Sequence, residues 1–84
     1  MPSPRITVLV RPLCHLCEDA LQIVHRVAGS LGEQVEVVDI DAAGDPALLD
    51  RHSEQVPVVL VDGRVHDFWR VDADRLTRAL TRPS

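Results

Sequence analysis

The chain has 84 residues, a formal net charge of −4 and aromatic residues at only 2% of its positions. That length suits one small domain over residues 1–84. The acidic balance and the scarcity of aromatic side chains argue against a nucleic-acid partner, which would need a basic face or stacking platforms. All nine basic residues are arginine, which excludes Schiff-base chemistry on a lysine and a phosphate-loop lysine.

The N-terminal segment MPSPRITVLV predicts a strand rather than a signal peptide, because its apolar run is short. No apolar run approaches the roughly 18–20 residues that a membrane span needs. We therefore expect a cytoplasmic protein with no membrane partner, in a compartment where thiols are kept reduced. Two cysteines three positions apart do not suggest a structural disulfide there, since the loop between them is too short to stabilise much of the fold.

The first half of the chain predicts a strand, a helix and a second strand. Residues Arg5 to Val10 are nearly all apolar, which is typical of a central strand covered on both faces. From Cys14 the apolar residues recur at intervals of three and four, which predicts an amphipathic helix ending near Gly29 and Gly32. The segment 34–41 then predicts a strand in which Val35 and Val37 alternate with polar residues. The predicted helix stripe consists of Cys17, Ala20, Leu21, Val24, Val27 and Ala28.

The second half predicts two more strands, over 56–61 and 64–68, joined by an Asp62-Gly63 hairpin turn. A short helix is expected from Asp45-Pro46 to about residue 52, because aspartate is a good N-cap and proline suits the first helical position. A last helix follows Asp72 as N-cap, with Val71 and Leu76 spaced as a hydrophobic staple and an apolar stripe at Leu76, Ala79 and Leu80.

The predicted order is therefore β-α-β-α-β-β-α, an α/β chain. The first βαβ unit should be a right-handed crossover with parallel strands. The hairpin makes the last two strands antiparallel. The simplest packing is a four-stranded mixed sheet flanked by three helices.

Cys14 and Cys17 carry the clearest chemical signal. Cys14 lies where the first strand meets the first helix, and the helix N-terminus favours its thiolate, the form that attacks disulfides. Cys17 follows one helical turn later and can reach back as a resolving thiol. Arg11 can add positive charge near the sulfur, while Glu18 and Asp19 act in the opposite sense. The alternative is that both cysteines are small apolar residues at the head of a helix, a role that suits Cys17 better than Cys14.

Val56-Pro57 is the second informative element. Proline removes a donor from a β-ladder, so it belongs at an edge, at the first position of a strand or at a cis bond. Here it opens an apolar segment that should lie deep in the sheet. We expect a cis bond close to the cysteines, and a trans proline that merely begins the strand is the alternative.

These features resemble the thioredoxin-fold superfamily, and within it the compact bacterial glutaredoxin-like proteins. The resemblance rests on Arg11-Pro12-Leu13-Cys14-His15-Leu16-Cys17 after a short strand, on Val56-Pro57 before a later one, and on Trp69-Arg70-Val71-Asp72. It implies a sheet in the order 2-1-3-4. It also implies Cys14 as nucleophile, Cys17 as resolving thiol, a cis Pro57 beside them, and a Val56 backbone that pairs with bound substrate.

The chain departs from typical glutaredoxins in two places. His15 and Leu16 replace the usual proline and tyrosine between the cysteines, and no glycine pair precedes Asp72. His15 can stabilise a thiolate as imidazolium or simply face solvent. Asp72 can meet a substrate amine or act as a plain N-cap. Weak capture of glutathione is therefore expected, although glutathione stays a candidate reductant.

Six further residues can be interpreted from the sequence. Trp69 is expected to cover the small core rather than to form a substrate surface. His25, His52 and His66 are interpreted as surface residues, and Asp39 and Asp41 as solvated loop acids.

The leading hypothesis is a thiol–disulfide oxidoreductase that acts on a disulfide-containing protein or a small thiol substrate. It would be a monomer, recycled by an unidentified reductase, with no tightly bound cofactor. One alternative is a module that binds zinc or an iron–sulfur cluster, although one CxxC supplies only part of a four-ligand set. The other is a non-catalytic domain that binds another protein.

Overall fold

The computed structural model describes residues 4–81 as seven elements in the predicted order. The strands are β1 (Ile6–Val10), β2 (Val35–Asp39), β3 (Val58–Val61) and β4 (Arg64–Phe68), and the helices are α1 (His15–Leu31), α2 (Pro46–His52) and α3 (Ala73–Thr81). Within this part of the chain no helix is long and apolar enough to cross a membrane.

The four strands form one mixed sheet in the order β2-β1-β3-β4, as the resemblance implies. β1 pairs parallel with β2 and antiparallel with β3, and β3 pairs antiparallel with β4. The central place of β1 confirms the prediction made from its apolar run. Ile6 and Val8 are fully buried, and Leu9 is nearly so.

The sheet separates two clusters of buried side chains, because successive residues of a strand point to opposite faces. Ile6, Val8 and Val59 join the apolar stripes of α1 and α3 in the larger cluster. Leu9 and Val58 point the other way and pack with Ile40 and the leucines of α2. Consequently α1 and α3 cover one face and α2 covers the other.

β2 is shorter than predicted, and the residues that it buries differ from those predicted. Val37, expected to alternate into the core with Val35, is 45% exposed. β2 is an edge strand of the sheet, so one of its sides has no neighbouring strand. Burial resumes with Val38 and Ile40, which pack with the α2 cluster.

The ends of the first two helices follow the predicted signals. α1 ends at Gly32, whose φ of 70° is left-handed and whose N–H donates to the Ala28 carbonyl. Gly29 lies inside the helix rather than at its end. Asp45 caps α2 by accepting hydrogen bonds from the N–H groups of Ala47 and Leu48, with Pro46 at the first position.

His52 is not the surface residue that was expected, and His66 is only partly exposed. His52, at the end of α2, is only 7% exposed, and its Nδ1 donates to Gln55 Oε1 at 3.2 Å. In β4 a bulge opposite Val59 and Leu60 leaves His66 without a partner in the strand register. Its Nε2 is buried and has no hydrogen-bond partner within the described chain. His25 is exposed, as predicted.

The end of the sheet away from the cysteines is tied together by Arg5. Its guanidinium donates two hydrogen bonds of 3.0 Å to the carboxylate of Asp62 in the β3–β4 turn. It also donates to Glu33 at 2.6 Å and to the Leu80 carbonyl at 3.1 Å. The hydrogen bonds from Arg5 hold the pKa of Asp62 below its usual value. Asp62 and Gly63 have φ of 53° and 83°, the left-handed values that a two-residue hairpin turn needs.

Candidate functional site

Cys14 is the N-cap of α1. Its backbone is extended, with φ −115° and ψ 106°, and its Sγ accepts a hydrogen bond from the Cys17 N–H at 3.1 Å. Its carbonyl accepts from the Glu18 N–H at 3.2 Å and so begins the helix. A sulfur thus takes the place that a serine or aspartate oxygen usually holds at a helix start. The location satisfies the electrostatic conditions for a stabilised thiolate.

The two cysteine sulfurs are joined in a disulfide, with Cα atoms 5.2 Å apart. The two residues differ in access to solvent. Cys14 is half-buried, whereas Cys17 lies on the buried stripe of α1 and is 4% exposed. An incoming molecule therefore meets Cys14 first.

Arg11 is paired with an acidic side chain. Its guanidinium forms an ion pair with Asp41, with Nε–Oδ2 and Nη2–Oδ1 distances of 3.1 Å, and donates to the Ser53 carbonyl at 3.4 Å. Asp41, expected to be a solvated acid, is thus the partner of Arg11. Asp39 is half-buried and caps the following turn, where its Oδ1 accepts from the N–H groups of Asp41 and Ala42.

His15 lies on the exposed side of the first turn of α1. Its side chain is 98% exposed, and its Nδ1 is 3.7 Å from Glu18 Oε2. This position agrees with the solvent-facing alternative, and it pairs the imidazole with an acid one turn along the helix.

The Val56–Pro57 peptide bond is cis, as predicted. Both residues precede β3 rather than lying within it, and Pro57 is fully buried. The Pro57 carbonyl accepts from the Trp69 N–H at 2.9 Å, whereas neither the N–H nor the carbonyl of Val56 joins the loop hydrogen bonds found in residues 4–81. The pairing of the Val56 backbone with bound substrate, which the resemblance implies, stays a prediction.

Trp69 is not a core residue, contrary to expectation. It is 53% exposed, with a left-handed φ of 66°. Its indole Nε1 donates to the Glu54 carbonyl at 2.9 Å, and its ring meets that of Phe68 edge-to-face at 5.1 Å. These contacts fix the indole at the surface, so the small core is closed by aliphatic side chains instead.

A cleft of about 310 Å³ lies between α1 and the segment that joins β4 to α3. Leu16, which stands between the two cysteines in the sequence, and Trp69 both line it. Sequence reasoning missed this cleft. The available signal was Leu16 itself, an apolar residue between the two cysteines that does not belong to the predicted apolar stripe of the helix. The remaining lining residues are Asp19, Ala20, Ile23, Arg70 and Val71.

Asp72 is the predicted cap of α3. Its Oδ1 accepts hydrogen bonds from the N–H groups of Asp74 and Arg75 at 2.9 and 3.1 Å. Val71 and Leu76 are buried in the same core cluster, as the predicted staple requires. Asp72 remains exposed beside the cleft residue Val71, so its second oxygen can still meet a ligand.

Metal-ligating side chains are dispersed. Within residues 4–81 no group of three or more histidine, cysteine or acidic side chains is placed to hold one metal ion. A metal held by Cys14 and Cys17 would need ligands from another molecule.

The structure has a thioredoxin-like fold of the glutaredoxin type. Its elements follow the order β-α-β-α-β-β-α, and its sheet has the strand order 2-1-3-4. A cysteine pair stands at the start of α1, and a cis proline precedes β3. The chain belongs to the glutaredoxin-like domain family (DUF836), whose sequence model matches residues 5–81.

Related proteins extend this likeness. An uncharacterized protein of Mycobacterium bovis is 33% identical over 85 residues, covering 98% of this chain and 88% of that protein. A glutaredoxin-like protein of Dictyostelium discoideum is 28% identical, covering 88% of this chain and 72% of that protein. A structural-genomics target from X. campestris has a similar structure, with a TM-score of 0.74 and 30% identity, covering 94% of this chain and 99% of that one.

More distant structures share the fold alone. The holo form of glutaredoxin C1 from Populus tremula x tremuloides has a TM-score of 0.51 at 19% identity, covering 94% of this chain and 76% of that one. Wheat glutaredoxin gives the same TM-score at 22% identity, covering 98% of this chain and 74% of that one.

Proposed function

We propose that this protein is a thiol–disulfide oxidoreductase in which Cys14 is the nucleophile and Cys17 the resolving thiol. One observation carries the proposal: the half-buried Cys14 caps α1 through its sulfur, which accepts the Cys17 N–H, while Cys17 itself is buried. A hydrogen bond to sulfur and the positive end of a helix both favour the anion over the neutral thiol.

The first half-reaction forms a mixed disulfide. The Cys14 thiolate attacks one sulfur of the substrate disulfide, a Cys14–substrate S–S bond forms, and the substrate S–S bond breaks. The departing substrate sulfur takes a proton from solvent and leaves as a thiol.

The second half-reaction releases the other substrate thiol. Cys17, as thiolate, attacks Cys14 Sγ, and the mixed disulfide breaks as the Cys14–Cys17 disulfide forms. Two electrons have then passed from the protein dithiol to the substrate. The short Cα separation of 5.2 Å allows this closure without unfolding α1.

Return to the dithiol needs two electrons from an external thiol or a reductase. We propose that glutathione, the candidate thiol reductant, is captured weakly. Its γ-glutamyl end would meet only the second oxygen of Asp72, because Oδ1 accepts two backbone N–H groups, and no glycine pair precedes this aspartate to help hold the ligand. The positive charge of Arg11, which would otherwise attract the carboxylates of glutathione, is already paired with Asp41.

The decisive experiment uses the reduced protein and bis(2-hydroxyethyl) disulfide, a small uncharged substrate. Wild type should reduce it and gain the Cys14–Cys17 disulfide, seen by mass spectrometry as the loss of two hydrogens. Cys14→Ser is the matched control, because it leaves Cys17 in place. Equal rates for the two proteins would overturn the proposal.

A further inference from the structure

Exposed apolar side chains occur in the cysteine segment and in the cleft that Leu16 lines. Leu13 and Leu16 belong to the cysteine segment and are 103% and 41% exposed, and Trp69 lines the same cleft as Leu16. Phe68, also exposed, packs against Trp69. We call Leu13, Leu16 and Trp69 the apolar rim. Solvation of such side chains is unfavourable unless something covers them.

The backbone of the rim is held in a costly conformation. Within residues 4–81 three non-glycine residues have positive φ, and two of them are Leu13 at 59° and Trp69 at 66°. The third, Asp62, is explained by its hairpin turn. Large side chains avoid left-handed φ, and such residues persist at sites where the surrounding structure holds them. Two hydrogen bonds hold Trp69 in place: its backbone N–H donates to the Pro57 carbonyl, and its indole N–H donates to the Glu54 carbonyl.

The shape of the cleft suits one large side chain. Its volume of about 310 Å³ is at the small end of ligand pockets. Ala20, Ile23 and Val71 add apolar surface to that of Leu16 and Trp69. Asp19 and Arg70 also line it, so their charges cancel and the cleft as a whole favours an uncharged occupant.

Charge around the sulfur disfavours glutathione disulfide, which carries a net negative charge. Glu18 and Asp19 occupy the exposed start of α1, and the nearby cation Arg11 is neutralised by Asp41. The whole chain has a net charge of −4. A neutral or basic polypeptide meets no such repulsion.

We infer that the substrate is a protein disulfide with a large aliphatic or aromatic side chain next to the reacting cysteine, and that this side chain enters the cleft between Leu16 and Trp69. The inference rests on the proposed function and names its substrate class. Cys14 attacks the substrate cysteine as described above, and the rim positions the neighbouring residue.

The test compares symmetric disulfides of the blocked peptide acetyl-Gly-X-Cys-X-Gly-amide, with X either leucine or alanine. Blocking the termini removes charge, and placing X on both sides covers either direction of binding. The rate of reduction by the reduced wild-type protein should be about ten-fold higher for the leucine peptide, since differences of a few methylenes in an apolar pocket have effects of this size.

Trp69→Ala and Leu16→Ala should each lower the ratio of the two rates to about one. Leu16→Ala is expected to fold normally, because alanine favours the helix and Leu16 is already partly exposed. Leu31→Ala is the matched control, as it removes a 37% exposed leucine from the far end of α1 and should keep the ratio.

The inference would be overturned by a wild-type ratio near one, by a ratio retained in both rim variants, or by faster reduction of glutathione disulfide than of the leucine peptide. Measuring the molecular mass in solution tests whether a second copy of the chain occupies the cleft instead. If the wild type is a dimer and Leu16→Ala is a monomer, the cleft is a dimer interface and the inference is rejected. Failure of the proposed function can be told apart from failure of this inference, because the wild type would then not reduce bis(2-hydroxyethyl) disulfide at all.

Discussion

The Cys17 backbone N–H donates to Cys14 Sγ at 3.1 Å, so under the proposed function the resolving residue would act on the nucleophile through its main chain as well as through its thiol. Replacing the Cys17 side chain removes the second sulfur and keeps that hydrogen bond. The two roles of Cys17 can therefore be separated by mutation.

Alkylation of the reduced protein near neutral pH should label Cys14 before Cys17. Cys14 is the accessible cap of α1, whereas Cys17 is 4% exposed. Peptide mapping after short exposure to iodoacetamide measures the order. Preferential labelling of Cys17 would reverse the assigned roles, and equal, slow labelling would support two structural cysteines.

Cys17→Ser should attack a disulfide and then stop as a mixed disulfide, because nothing resolves it. Cys14→Ser should not attack. Intact mass spectrometry after mixing with bis(2-hydroxyethyl) disulfide distinguishes the two, since only Cys17→Ser acquires the adduct. Turnover by Cys14→Ser at the wild-type rate is the result that would contradict this prediction.

Reduction of glutathione disulfide should be slow, and Asp41→Asn should accelerate it by about three-fold at low salt. The substitution removes the negative charge that neutralises the Arg11 guanidinium, which lies 3.1 Å from Asp41. The gain should disappear at high ionic strength because exposed charges are screened. Glu36→Gln, on the exposed surface of β2, makes the same change in net charge and should have little effect. An equal gain in both variants would show a general charge effect instead.

Asp72→Ala should lower the free energy of unfolding by about 1 kcal/mol, the usual value of an N-cap. The substitution leaves the Asp74 and Arg75 N–H groups without the oxygen that they now share. Asp72→Asn retains an acceptor and should stay close to the wild type. Urea denaturation measures both, and equal losses would show that the negative charge matters rather than the cap.

Asp62→Asn should reduce stability at neutral pH and lose its effect in acid. Arg5 lowers the folded-state pKa of Asp62, so the ionised carboxylate stabilises the fold above the ordinary aspartate pKa of about 3.9. As the pH falls below that value toward the lower folded pKa, the contribution is lost and the two proteins converge. Asparagine tolerates the left-handed turn, which isolates the charge. Thermal unfolding across pH tests this, and a difference that persists in acid would contradict it.

Local signals were enough to predict most of the fold. The apolar run of β1 indicated its central place, Asp45-Pro46 indicated the start of α2, and Asp62-Gly63 indicated the hairpin. Each of these signals reflects a short-range property of the chain, either a backbone preference or the burial of a strand, so a few consecutive residues are enough to identify it. The family resemblance added the strand order and the cis proline.

The features that sequence reasoning missed depend on contacts between distant segments. Arg11 meets Asp41 across 30 positions of sequence, and Trp69 is held outward by Glu54, 15 positions earlier. The rule that a large aromatic residue closes a small core therefore failed for Trp69, because the loop turned it to solvent. His52 was missed because a single histidine at the end of a short helix carries no periodic signal.

The anchored indole of Trp69 also gives this protein an optical reporter. Trp69 is the only tryptophan and there is no tyrosine, so emission excited at long ultraviolet wavelengths arises wholly at the lip of the cleft. A change in its intensity on reduction, or a blue shift as an apolar side chain enters, would come from the cleft alone. Half-reactions with unlabelled protein can therefore be followed in real time.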